Sequence, residues 1–154
     1  MAQTTNAISF KDAYIGFSTS GTTWVDASGE TNTVSLSGGA RNFGAAHTAD
    51  GDTPILKGGK RNEETISINS IYTEDATGIV ERATAAYEAC TAFYIKIAPA
   101  GNSSGNEKFY NSSAGIVLNP TYPLNADASG GEPIAISVDV VVPFMVQATM
   151  TSTL

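Results

Sequence analysis

The chain is short of the residues from which most chemistry is built. Of its 154 residues one is a cysteine and one a histidine, and only 15% are charged, against about 25% in ordinary soluble domains. The lone Cys90 excludes an internal disulfide framework and a cysteine-based zinc site, and its expected role is that of a small buried apolar side chain. With His47 as the sole histidine and no motif around any serine, a nucleophile, base and orienting group have nothing to be assembled from, so no catalytic residue is predicted. No stretch approaches the roughly 20 apolar residues that span a bilayer, and the beginning, MAQTTNAISFKDAY, has no basic region followed by an apolar run. The expectation is a protein made and folded in the cytoplasm, without a membrane partner.

The size is that of one domain able to bury its own core. Hydrophobic residues make up 42%, and the polar remainder is mostly Thr, Ser, Asn and Gly. Short uncharged side chains suit surfaces that neighbouring subunits will cover, because every buried charge needs a partner. Fifteen acidic residues against eight basic ones leave a net charge of −7. That balance argues against binding a phosphate backbone, which relies on Lys and Arg, but not against letting DNA pass along a wall that repels it.

Alternation and turn residues give a mainly β reading. AYIGF at 13–17 and TTWV at 22–25 flank Ser-Thr-Ser-Gly and predict a hairpin. The glycine-rich stretch 26–56 lacks strong periodicity and reads as a long functional loop or flexible hairpin that reaches another subunit. ETISINSIYT has the period of a half-buried strand. From Asp75 to Cys90 the period changes to that of a helix with Ile79, Ala83, Ala86, Tyr87 and Cys90 on one stripe, with Thr73 or Asp75 as its cap. FYIKI at 93–97 and a strand from Phe109 to Leu118 predict a hairpin with a long tip. The proline-rich 119–133 reads as a second loop. Ile134, Ile136, Val138, Val140, Val142, Phe144 and Val146 then alternate along one long strand, with Pro143 marking a bend, bulge or edge. The predicted fold is an antiparallel β-sandwich or partial barrel with one flanking helix over about 75–90.

The candidate sites have plain readings. Asp50-Gly51-Asp52 lacks the further oxygen ligands of a calcium loop, so a tight turn around Gly51 is expected, and no metal or cofactor is predicted. Lys57-Gly-Gly-Lys60-Arg61 lacks the spacing of a nucleotide loop and is assigned to ion pairing, within the chain or between subunits. Asn102-Ser-Ser and Asn111-Ser-Ser match glycosylation triplets but are taken as polar loop and strand residues. Trp24 and the tyrosines are expected as core and interface anchors, with a carbohydrate-binding platform as the competing reading.

The run ARNFGAAHTADGDTPILKGGKRNEETISINSIYTEDATGIVERATAAYEACTAFYIKI, residues 40–97, resembles the major tail tube proteins of phages. The shared pattern is a polar loop leading to a Gly-Lys pair, a strand, a single helix with an acidic start, and a further strand; the order of elements over 8–147 fits more loosely. Tube proteins of contractile tails and of type VI secretion are similar in fold.

The resemblance implies a single tail tube domain over 1–154, not an enzyme, in which one sheet of each of six copies joins a barrel around a lumen and rings stack into a tube in the virion. It implies arms at 1–12 and 148–154, and an inter-ring loop over 26–56. Intersubunit contacts then fall to Arg41, His47, Asp50, Asp52, Lys57, Lys60 and Arg61, and lumen-facing positions to Asp139, Glu63 and Ser67. Implied partners are further copies of itself, the tail tip or initiator, the tape measure and the tail terminator, with duplex DNA passing through unbound. The competing reading is a β-sandwich binding module or a capsid decoration protein.

Overall fold

A computed structural model describes residues 10–101, 107–120, 131 and 133–150. After a turn of 3-10 helix at Phe10–Asp12 the strands run β1 Tyr14–Ser18, β2 Val25–Asp26, β3 Thr31–Gly38, β4 Arg41–Ala46, β5 Ile55–Arg61 and β6 Glu64–Ile71. The helix α1 spans Ile79–Glu88, and β7 Tyr94–Ala98, β8 Lys108–Ser112, β9 Ile116–Pro120, β10 Ala135–Val142 and β11 Met145–Thr149 complete the order. Three antiparallel sheets result: five strands ordered β11-β8-β7-β1-β2, four ordered β3-β6-β10-β9, and the pair β4-β5. None closes into a barrel among the described residues, so the mainly β sandwich with one helix stands.

The core lies between the two larger sheets. Phe17 and Ile95 of the five-stranded sheet meet Ile66, Ile68, Ile136, Val138, Val140 and Val142 of the four-stranded one. These residues recur every second position, so a pleated strand delivers them to one face. The rings of Phe17 and Phe93 stack with centroids 5.6 Å apart. Helix α1 closes the side over β9 by burying Ile79, Val80, Ala83 and Ala86.

The helix is shorter than the periodicity suggested. Residues 75–78 form a turn in which Asp75 accepts the backbone N–H and the hydroxyl of Thr77, both at 2.8 Å. Those bonds, the backbone one first, hold the Asp75 carboxyl below its usual range. The N-cap is Gly78, which has no side chain to offer; the Ile79 N–H is instead met by Glu30, 49 positions away, at 3.3 Å. At the other end Cys90 has φ +50 and is exposed, as is Tyr87, so neither completes the buried stripe. The helix stops because its chain turns left-handed there, with the Thr91 N–H reaching back to Ala86.

Two predicted strands are each split between sheets. The long final alternation ends as β10 at Val142, and past Pro143 the chain crosses to the other sheet as β11, leaving Phe144 and Val146 exposed. Proline cannot donate to a ladder, which permits the exit. The Phe109–Leu118 segment breaks likewise into β8 and β9 at Gly115, where an added Cβ would stand 2.6 Å from Val142 Cγ1. Ser113 ties the crossings together: its N–H and hydroxyl donate to the Phe144 carbonyl, both at 3.0 Å. The expected C-terminal arm is also partly corrected, because Ala148 and Thr149 pair with β8 and Met150 is buried against Tyr14 and Ala98. Residues 1–9 of the expected N-terminal arm, 151–154 of the C-terminal one, Asn102 and most of the 119–133 loop lie outside the described residues.

Candidate functional site

The segment 26–56 is richer in strands than a long loop. Thr31–Gly38 joins the four-stranded sheet beside β6, and β4 and β5 form a hairpin that runs on from β3 and β6 past a kink. Backbone ladders do not depend on side-chain identity, so a Ser- and Gly-rich sequence conceals them. Gly38 and Gly39, at φ +86 and +72, make the kink. A Cβ on Gly38 would strike the Glu63 carbonyl at 2.4 Å, and one on Gly39 the Glu64 carboxylate at 2.6 Å. Hydrogen bonds from Gly39 to Glu63 (2.9 Å) and from Asn62 to Ala40 (2.9 Å) carry the ladder through it.

Beyond the kink every residue of β4 and β5 is exposed. Phe43 is 74% exposed, the most open large apolar side chain among the described residues, and Leu56 is 61% exposed. A two-stranded hairpin this exposed, with Phe43 and Leu56 on one face and Ile55 on the other, is marginal in water on its own. This arm, residues 41–61, holds four of the eight basic residues but two of the fifteen acidic ones, so it is net +2 while the rest of the chain is net −9. All seven predicted contact residues lie on it. Arg41, Lys57, Lys60 and Arg61 are on its strands, while His47, Asp50 and Asp52 are at its tip, and all are exposed. The tip contains a turn in which the Gly51 N–H donates to the Thr48 carbonyl at 3.2 Å. Arg61 also has a partner within the chain, Glu64.

Glu64 was not singled out by sequence. Its buried carboxylate pairs with Arg61 at the arm root and accepts the Met145 N–H at 2.9 Å, just after the crossing at Pro143. One side chain therefore joins the kink, the arm and the point where the sheets exchange strands. An acidic residue beginning an alternating strand gives no sign of this, since Glu63 next to it is exposed.

The outer face of the four-stranded sheet carries the other predicted site. Across its ladder lie Thr33, Asn69 and Ser137, then Ser35, Ser67, Asp139 and Asn119, then Ser37, Thr65, Val141 and Ile116. Asp139 is the single charge in those rows, and Ser67 is its direct cross-strand partner. Glu63 precedes β6 with the same parity and lines a concavity of about 460 Å³ with Arg61, Ala114, Ile116, Val141 and Pro143. The three lumen candidates thus fall on one face.

On the five-stranded sheet the Lys96 ammonium lies 4.2 Å from the Trp24 ring centroid and 5.4 Å from that of Phe109. Burial pushes its pKa below the ordinary value. Trp24 is therefore engaged within its own sheet, which does not favour the sugar-platform reading. Among the described residues no group of three or more His, Cys, Asp or Glu could hold a metal, and no helix is long and apolar enough to cross a membrane.

No protein-family model matches the chain, and no curated protein matches it by sequence. Solved structures do match in fold. The tube-terminating cap of the anti-feeding prophage superposes with a TM-score of 0.65 at 18% identity, over 97% of this chain and 95% of that one. A chain of the sheath–tube complex of the extracellular contractile injection system PVC gives 0.64 at 12% identity, over 97% and 100%. A chain from the tail of an empty gene transfer agent particle, refined helically with C6 symmetry, gives 0.62 at 13%, over 97% and 99%. The chain has the fold of these tail proteins along nearly its whole length.

Proposed function

We propose that this protein is a structural subunit of a phage-like tail tube, self-assembling into stacked rings around a channel that conducts DNA, with no covalent chemistry of its own. The observation that carries the reading is the four-stranded sheet. Among the described residues its two outer strands, β3 and β9, have free edges, and they run in opposite directions. The β9 edge of one copy can therefore pair antiparallel with the β3 edge of the next, copy after copy, until a ring closes and no edge remains. Exposed apolar side chains mark both edges, Leu36 on β3 and Ile116 and Leu118 on β9. The outer face that such a ring would turn inward carries mostly short polar side chains, with Ile116 and Val141 at one end and Asp139 and Glu63 as its acidic charges, which suits passage of a polyanion without adhesion.

In this reading Asp139, Ser67 and Glu63 line the channel, and the arm tip with His47, Asp50 and Asp52 reaches the next ring. Sixfold rings are the expected size, as in the C6 tail of similar fold. The protein would reside in the virion after assembly in the host cytoplasm, in contact with the tail tip, the tape measure and the terminator. A cap that ends a tube is the second reading, supported by the likeness to the anti-feeding prophage cap.

Solution mass across a concentration series, with and without preformed tail tips, tests the proposal. A tube subunit passes from the 15.9 kDa chain to rings and open-ended polymers. A cap forms rings that stop, and a particle that stays monomeric under every condition overturns both readings.

A further inference from the structure

We infer that the concavity at the arm root is a socket for the arm root of the laterally adjacent copy, with Phe43 as the plug; this rests on the ring reading above. The socket is lined by Ala114, Ile116, Val141 and Pro143, with Glu63 and Arg61 at its rim. All belong to one end of the four-stranded sheet: β9 and β6 begin there, and β10 ends there. The end of β3, and so the Gly38-Gly39 kink, is at that same end. When β3 of a second copy lies along β9, its kink arrives beside Ile116 and Ala114, and the first residues past it are Arg41, Asn42 and Phe43.

Chemistry selects Phe43 over its neighbours. The socket lies on the outer face, where Ile116 and Val141 point, whereas Leu36 is opposite Ile66 and shares the inner, core side. Phe43 is 74% exposed in its own chain, so it has little cover to lose on docking. Arg41 on the incoming arm would approach the exposed Glu63, and Arg61 is already held by Glu64. The net charges of +2 on the arm and −9 on the rest of the chain favour the same pairing of arm with body. The socket is therefore completed by a second copy.

Cysteine cross-linking tests it. Ala114 is exposed, and so is Ala45, two positions from the plug and on the same face of β4, so Ala114→Cys and Ala45→Cys in a Cys90→Ser background should both fold. Oxidation of assembled double variant should give a covalent ladder that ends at the number of subunits in one ring, while neither single cysteine does. Phe43→Ala should raise the concentration needed for assembly by roughly 30-fold, as loss of a buried aromatic anchor does, without lowering the melting temperature of the unassembled chain. If wild-type rings form but no ladder appears, or the ladder runs on past one ring, the socket is filled otherwise and this inference fails alone. If the wild type forms no rings, the reading it rests on fails with it.

Discussion

Replacing Glu64 by alanine should cost the unassembled chain about 3 kcal/mol. The Glu64 side chain is 6% exposed and that of Arg61 is 40% exposed, so the two bonds it makes differ in worth. The Met145 N–H, bonded at 2.9 Å, loses its charged acceptor at a partly buried strand crossing, a loss of about 1.5–3 kcal/mol. Arg61 can turn to water, and its half of the ion pair contributes no more than about 1 kcal/mol. At this chain length each kcal/mol moves the melting temperature by about 2–4 °C, which places Glu64→Ala about 6–12 °C below wild type. Glu64→Gln keeps an acceptor for Met145 and should lose about 1 kcal/mol; Arg61→Ala should lose no more than that. Thermal or urea unfolding at a concentration too low for assembly measures all three, since association would add its own stabilisation. Equal losses for Glu64→Ala and Arg61→Ala would refute the reasoning by placing the energy in the ion pair.

Gly39→Ala should cost at least about 2 kcal/mol, from a left-handed φ denied to side chains and a Cβ driven against Glu64. Combined with Glu64→Ala its loss should be less than additive, which a double-mutant cycle in urea would show. Cys90→Gly relieves φ +50 and should stabilise by about 1 kcal/mol; a lower urea midpoint would contradict that account of how α1 ends. For Lys96 the folded-state pKa lies below the ordinary 10.5, so between the two values the unfolded chain binds more protons. Wild type should therefore gain stability relative to Lys96→Met as pH rises toward 10.5, and parallel pH profiles would show that the lysine is not desolvated.

Where the sequence spoke through periodicity it was read well. Ile66 and Ile68, and Ile136 through Val142, alternate because one face of each strand is core, and Ser67 and Asp139 fell on the opposite face together. It misled where the decisive interaction is long-range. The splitting of two apparent strands depends on Gly115 lying against Val142, the residue before Pro143, and periodicity continues unbroken across both breaks. The helix start looks capped by Thr73 or Asp75 because capping is usually local, whereas Glu30 supplies the acceptor from the turn before β3. The arm was legible as a functional loop or flexible hairpin, from its glycines and its lack of periodicity. Its strands were not, because alanine and glycine form ladders without advertising them. Cys90 looked like core because it falls on the helical stripe, one residue too late for the helix that forms.

Cryo-electron microscopy of the assembled protein tests the central claim most directly. The account predicts rings with an open centre wide enough for duplex DNA, walled by a continuous sheet built from β3, β6, β10 and β9 of each copy, with Ser67 and Asp139 facing the opening. Assemblies without a central channel, or rings in which that sheet faces outward, would contradict it.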